Sequence, residues 1–454
     1  MTRPLHALAL IAVVTCVGCD AVDAAPTPAA TLNFPITLAL SVPPSAGAPP
    51  GYLIVGNADF DLRYDQGSIQ SYDLAEIARR VDACAPADRP CAHDDSSLPA
   101  EGVPGSVALL ADEVLVGPHM GNLAVSPRGD RIYVPSRSEE NLTWIDFDPA
   151  DGSLECDATG QPARCGAARR GTAREDGCAR TVAFTGDPVG AVAGSVSMLT
   201  GDPADAEDDY VVVLHRGGTA SLFLDELVGA VREPVLVHSL TGISIDMVNL
   251  TLEPETGLAW ANSATVNAGR RTRDVTVIGV DYDAERPECS AAFSAGRIFL
   301  SGVDDGLDTR DLAFSPGGRY VHVLSRRPEA VATLDLEGAP LSAGETPITE
   351  LLPVGFGPSR MDLGVVGGRT ILAVSCFDGR NVWIFDLDEH LLLGVVPGFS
   401  GPFELVIDAA RGLLLVGDFR DSVLRVVDLR PIAAGAPPEL ALTVGVVRPV
   451  SVLR

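Results

Sequence analysis

The chain has 454 residues, a net charge of −28 and 46% apolar side chains, with 46 glycines and 34 prolines marking many turns. All 33 basic residues are arginine, and they form no basic stripe that could neutralise the phosphates of a nucleic acid. The same acidity argues against adsorption of the folded body to an anionic lipid surface, while the apolar content suffices for a large core.

Residues 1–18 read as an export signal, with Arg3 in the n-region, an apolar run from Leu5 to Val17, and Gly18 as a small exit residue. The run is too short to span a membrane. Thr15-Cys16-Val17-Gly18-Cys19 resembles the lipobox of bacterial lipoproteins, in which Gly precedes the cysteine that is acylated. That resemblance implies a palmitate-type anchor on Cys19, a membrane held through acyl chains, and a place in the cell envelope facing the periplasm or the cell surface. Ordinary cleavage near Ala24 would instead release a soluble chain. Residues 19–33, rich in Ala and Pro without periodicity, fit a flexible tether, and residues 34–454 are expected to form one domain.

An exported compartment permits disulfides. Cys84 and Cys91 bracket the segment CAPADRPC and can staple it. Cys156, Cys165 and Cys178 crowd one Gly/Arg-rich stretch, where one pair is expected with its connectivity open. Cys376 lies in the apolar run ILAVSCFDG and reads as a buried free thiol.

A recurring unit sets the fold. Asp73 of IQSYDL, Asp146 of NLTWIDFD, Asp225 of ASLFLDEL and Asp281 of VTVIGVDYD each close an alternating apolar run, as do Asp335 of VATLDLE, Asp386 of VWIFDLD and Asp428 of LRVVDLR. The spacings are 73, 79, 56, 54, 51 and 42 residues. The later ones match the roughly 40–50 residues of a four-stranded propeller blade, and the early ones carry insertions at about 75–104 and 150–180. Stretches such as NLAVSPRGDRIYVPS and LAFSPGGRYVHVLSR place a Gly-containing turn between two strands, which is a hairpin signal. Helical periodicity is nearly absent. The expected fold is all-β: a seven-bladed β-propeller of four-stranded antiparallel blades, closed by the C-terminal strand. Arg448 to Leu453 is expected to supply the innermost strand of the first blade, which otherwise starts abruptly at GYLIVGN.

Leu123-Ala124-Val125-Ser126-Pro127-Arg128-Gly129 with Arg131-Ile132-Tyr133-Val134 resembles the YVTN-type propeller repeat. So does Leu312-Ala313-Phe314-Ser315-Pro316-Gly317-Gly318 with Tyr320-Val321-His322-Val323. The resemblance implies the propeller fold over residues 51–454 but no single activity, because such propellers include lactonases, surface-layer proteins and modules of redox enzymes.

Ligand sites of a propeller form at one end of its central channel, where His119, Asp246, Asn249, Arg310, Asp311, Arg360, Asp362 and Glu404 are the candidates. Carboxylates, an amide and guanidinium groups together suit a Ca²⁺ or other divalent cation, or an anionic small molecule. The resemblance to gluconolactonase-like propellers implies Glu404, Asn249, Asp246 and Asp362 as a set around a water-activating metal. No Gly-x-Ser-x-Gly elbow, zincin His pair or c-type haem motif is present, and without lysine there is no P-loop. The function expected is therefore a non-catalytic, envelope-anchored binding or scaffold module without a cofactor, whose partner is an envelope protein or polysaccharide. A metal-dependent lactonase-type hydrolase is the alternative, and a module accessory to a redox enzyme a third reading.

Overall fold

The middle of strand two is largely apolar in each repeat because both of its faces are covered. In the first repeat Leu53, Ile54 and Val55 are all fully buried. The pleat sends Leu53 and Val55 one way, toward Leu413, Leu415 and Leu424 of the last repeat, and Ile54 the other way, toward Ile132 and Val134 of the second. Each such side chain contributes about 1.5–3 kcal/mol by leaving water. The core is accordingly a circle of apolar layers between neighbouring sheets.

The computed structural model describes residues 25–447, apart from 44, 46, 62, 101–102, 104, 138–140, 157, 161, 166–171, 174–177, 179–183, 185, 229–230, 264–265, 268–269, 272–273, 302–306 and 338–344. Cys19 and the segment Arg448 to Leu453 therefore lie outside the described residues.

Seven blades of four antiparallel strands form, each running outward from the channel. The first comprises Pro35–Leu40, Tyr52–Asn57, Gly67–Asp73 and Leu110–Val116. The innermost strands of blades two to seven are Ala124–Val125, Pro188–Ser195, Met247–Leu252, Thr309–Phe314, Pro358–Val366 and Pro402–Asp408. All seven repeat aspartates lie on third strands, as the spacing predicted. In the second blade the Ser-Pro-x-Gly turn closes through Ser126, whose hydroxyl accepts the Asp130 and Arg131 N–H groups. Gly129 there takes the positive φ of 74° that only glycine adopts freely.

Ring closure differs from expectation in one respect. The innermost place of the first blade is filled by Pro35–Leu40, which pairs antiparallel with Tyr52–Asn57. The eleven-residue loop from Ser41 to Gly51, in place of a tight turn, separates this strand from its partner in the sequence and hides the hairpin. The C-terminal strand Glu439–Val444 does join the two ends of the ring, but from outside: it pairs in parallel with Cys91–His93 of the first insertion. Other outer edges are covered in the same way. Ala163–Arg164 pairs with the first blade, Thr172–Ala173 with the third, and the outermost strands of blades four and five pair with each other. Such coverage reduces the open edges that invite aggregation, although among the described residues the outermost strands of blades two and six have no such neighbour.

The first insertion also holds an α-helix, Leu74–Ala83, that the nearly absent helical periodicity did not announce. Asp73 ends the third strand and caps this helix, accepting N–H groups of Ala75 at 2.8 Å and Glu76 at 3.0 Å. Leu74, Ile77 and Val81 pack into the layer between blades seven and one. Cys84–Cys91 is a disulfide, as are Cys156–Cys165 and Cys178–Cys289, while Cys376 is a buried free thiol. The N-terminal segment runs along the loop after Asn57: Ala25 bridges to Tyr64, and the Thr27 hydroxyl donates to the Gln66 carbonyl at 2.8 Å. No helix among the described residues is long and apolar enough to cross a membrane.

Candidate functional site: the mouth of the central channel

A β-bulge near the start of the innermost strand recurs around the ring, between Pro35 and Thr37, Pro188 and Gly190, Met247 and Asn249, Thr309 and Asp311, Pro358 and Arg360, and Pro402 and Leu405. A bulge adds one residue and re-aims its side chain. Here it sorts the mouth into tiers. The bulge tier is Ile36, Gly121, Val189, Val248, Arg310, Ser359 and Phe403, and these line a cavity of about 270 Å³. Above them, the loops after the second strands contribute Phe60, Arg137, Arg216, Phe377 and Phe419 to the same cavity, with Arg326 at a strand end. Below the bulges lies a ring of one residue per blade: Thr37, Asn122, Gly190, Asn249, Asp311, Arg360 and Glu404.

The lower ring laces the blades together. The Asn122 amide donates to Asn249 Oδ1 at 2.7 Å, and Asn249 Nδ2 donates to Asp311 Oδ1. Asp311 also accepts the N–H groups of Leu312 at 2.9 Å and of Met361, in the next blade, at 2.8 Å. Asp362 accepts the Ile407 N–H at 2.7 Å, again across a blade boundary. Glu404 pairs with Arg360 at 3.2 Å. Burial raises the Asp362 carboxyl to about 7, and burial likewise raises Glu404 to about 8 against the opposing pull of Arg360. Asp311 is raised by burial too.

The upper tiers are cationic. Arg137 and Arg216 share Asp187, Arg326 and Arg420 share Asp378, Arg310 pairs with Asp308 and Arg360 with Glu404. Leaving aside Arg360 and Glu404 of the ring below, five guanidinium groups among the described residues thus share three carboxylates, in a chain whose net charge is −28. Burial, then the neighbouring Arg326 and Arg360 charges, pull Arg310 below the usual arginine range, with Asp308 opposing, and its Nε is buried without a partner.

Of the sequence candidates, the structure brings Asn249, Asp311, Arg360 and Glu404 into one ring, with Asp362 beside it and Arg310 one tier higher. His119 lies at the rim, its ring 5.8 Å from that of Phe60. Burial and then the Arg137 charge lower its pKa. Asp246 is exposed on the rim, where its N–H donates to the Arg216 carbonyl at 2.8 Å, so Asp246, Asn249, Asp362 and Glu404 do not form one cluster. Among the described residues, the only three His, Cys, Asp or Glu side chains with ligand atoms within 4.8 Å of one another are Cys178, Glu288 and Cys289. Two of those are joined in a disulfide. Sequence reasoning missed Arg137, Arg216 and Arg326. Their signal is positional, since all three fall at or just after the end of a second strand.

These features define a seven-bladed propeller with a cationic channel mouth. No family model matches the chain, and no curated protein does. Among solved structures, the chain is similar to a putative 6-phosphogluconolactonase from Bacteroides uniformis, at 14% identity and a TM-score of 0.54 over 92% of this chain and 99% of that one. It is also similar to a putative 6-phosphogluconolactonase from Bacteroides fragilis, at 15% identity and a TM-score of 0.51 over 92% and 97% of the two chains. At such identities the likeness is one of fold.

Proposed function

We propose that this chain is an envelope-anchored binding propeller, held by acylation of Cys19, whose channel mouth takes an anionic small molecule. The observation that carries the reading is the excess of guanidinium over carboxylate groups around a cavity of about 270 Å³. Arginine suits the role because its planar fork donates two parallel hydrogen bonds to a carboxylate or phosphate. Binding is favoured over lactone hydrolysis because Asp246 stands exposed on the rim, apart from Asn249, Asp362 and Glu404, so the set expected around a water-activating metal is not assembled. Titration calorimetry with inorganic phosphate, carboxylates and a phosphorylated sugar lactone tests both readings. Arg216→Gln with Arg310→Gln should weaken any anion that binds by about 10-fold or more. Unchanged affinity in that variant, or release of the sugar acid from the lactone, would overturn the binding reading. For the anchor, Cys19→Ala should abolish labelling by a radiolabelled fatty acid, and persistent labelling would disprove it.

A further inference from the structure

The mouth is divided by chemistry as well as by tier. On the side of blades six, seven and one it is aromatic. Phe60, Phe377, Phe403 and Phe419 line the cavity there, with centroid separations of 5.4 Å for Phe60–Phe419, 6.1 Å for Phe377–Phe419 and 6.0 Å for Phe403–Phe419. Phe60 is 53% exposed and offers a ring face to the cavity's rim. On the side of blades two, three and five, Arg137, Arg216, Arg310 and Arg326 line the same cavity. At the seam the two chemistries meet. The Arg360 guanidinium lies 5.0 Å from the Phe403 ring centroid and that of Arg420 lies 4.4 Å from Phe377.

A bare anion would use one half of this cavity and leave the rings in water. A neutral apolar molecule would use the other and leave Arg310 Nε without its missing acceptor. From this geometry, and resting on the anion-binding reading above, we infer that the ligand is an aromatic acid, a flat ring carrying one carboxylate or phosphate-type group. The ring stacks edge-on or offset against Phe60 and Phe419. The acidic group accepts from the guanidinium groups across the cavity, Arg216 and Arg310 among them.

The test is calorimetry with three probes that separate the two halves: phenylphosphonate, inorganic phosphate and benzyl alcohol, with benzoate as a second aromatic acid. Phenylphosphonate or benzoate should bind at least about 10-fold more tightly than either phosphate or benzyl alcohol. Phe60→Ala should weaken the aromatic acid several-fold and leave phosphate unchanged. Phe60 is exposed, so this variant keeps the fold. Arg216→Gln, also at an exposed position, should weaken the acid and phosphate together. Equal affinity for phosphate and both aromatic acids, or no response to Phe60→Ala, overturns the aromatic assignment while the anion-binding reading stands. Benzyl alcohol binding as tightly as the acids, or no binding by any anionic probe, overturns both.

Discussion

Replacing Arg131 by Met should destabilise the protein by about 3–5 kcal/mol, because it takes from the buried Asp225 carboxylate the guanidinium that holds both of its oxygens. Asp209 and Asp225 sit directly opposite each other on neighbouring strands of the third blade, and both are fully buried. Arg131 reaches across from the second blade, placing one guanidinium nitrogen 2.7 and 2.8 Å from the two Asp225 oxygens, while Arg232 donates to Asp209 at 2.7 Å. The Tyr133 hydroxyl donates between the two carboxylates. Burial raises Asp209 to about 7 and also raises Asp225, against the opposing Arg131 charge. A carboxyl whose folded pKa is raised holds a proton that the unfolded chain gives up. Its burden is therefore absent below about pH 4 and grows as the pH rises toward 7. The Arg131→Met deficit should follow that course, small at about pH 4.5 and full at about pH 8. Urea unfolding followed by circular dichroism at both pH values measures it. Adding Asp225→Leu to Arg131→Met should recover most of the loss, since an apolar replacement of a buried pair is close to neutral. A deficit below about 1 kcal/mol at pH 8, or one equal at both pH values, would refute the argument.

Two further outcomes are expected. Cys178→Ser with Cys289→Ser opens a disulfide that spans 111 residues and joins the second insertion to the fourth blade, at a cost of about 2–5 kcal/mol; a melting temperature equal to that of the native chain under non-reducing conditions would contradict this. Glu404→Gln removes a carboxyl held at about 8 by burial, so the native chain's decline in stability as pH rises from about 4.5 to 8 should flatten in the variant. Parallel urea midpoints across that range would count against it.

The seven third strands were legible because each unites two local signals, an alternating apolar run and an aspartate at its end, and neither depends on distant contacts. Pro35–Leu40 escaped because its hairpin partner lies beyond a long Pro-rich loop, so the pairing has no short-range mark. The helix Leu74–Ala83 escaped for a different reason. Its apolar positions Leu74, Ile77 and Val81 cover little more than two turns, and its cap, Asp73, was already read as the end of a strand. At the channel, Asp311, Arg360 and Glu404 were legible as polar residues at the heads of otherwise apolar strands. Arg137 and Arg216 stand in turns where arginine is ordinary, and only the closed ring makes them neighbours of Arg310.

The course of the N-terminal segment has a consequence for where the mouth points. Ala25 and Thr27 are held against the same loop that carries Phe60 on the rim. Five residues lie between Cys19 and Ala25, and the six steps they make reach at most about 20 Å when fully extended. With acyl chains on Cys19, the propeller would hang mouth-inward, its opening within a short tether's length of the bilayer. Such an orientation would make the membrane surface a sieve. Small solutes and molecules diffusing along the headgroups would reach the channel, whereas bulky polymers and folded proteins would meet only the outer walls and the far end of the ring.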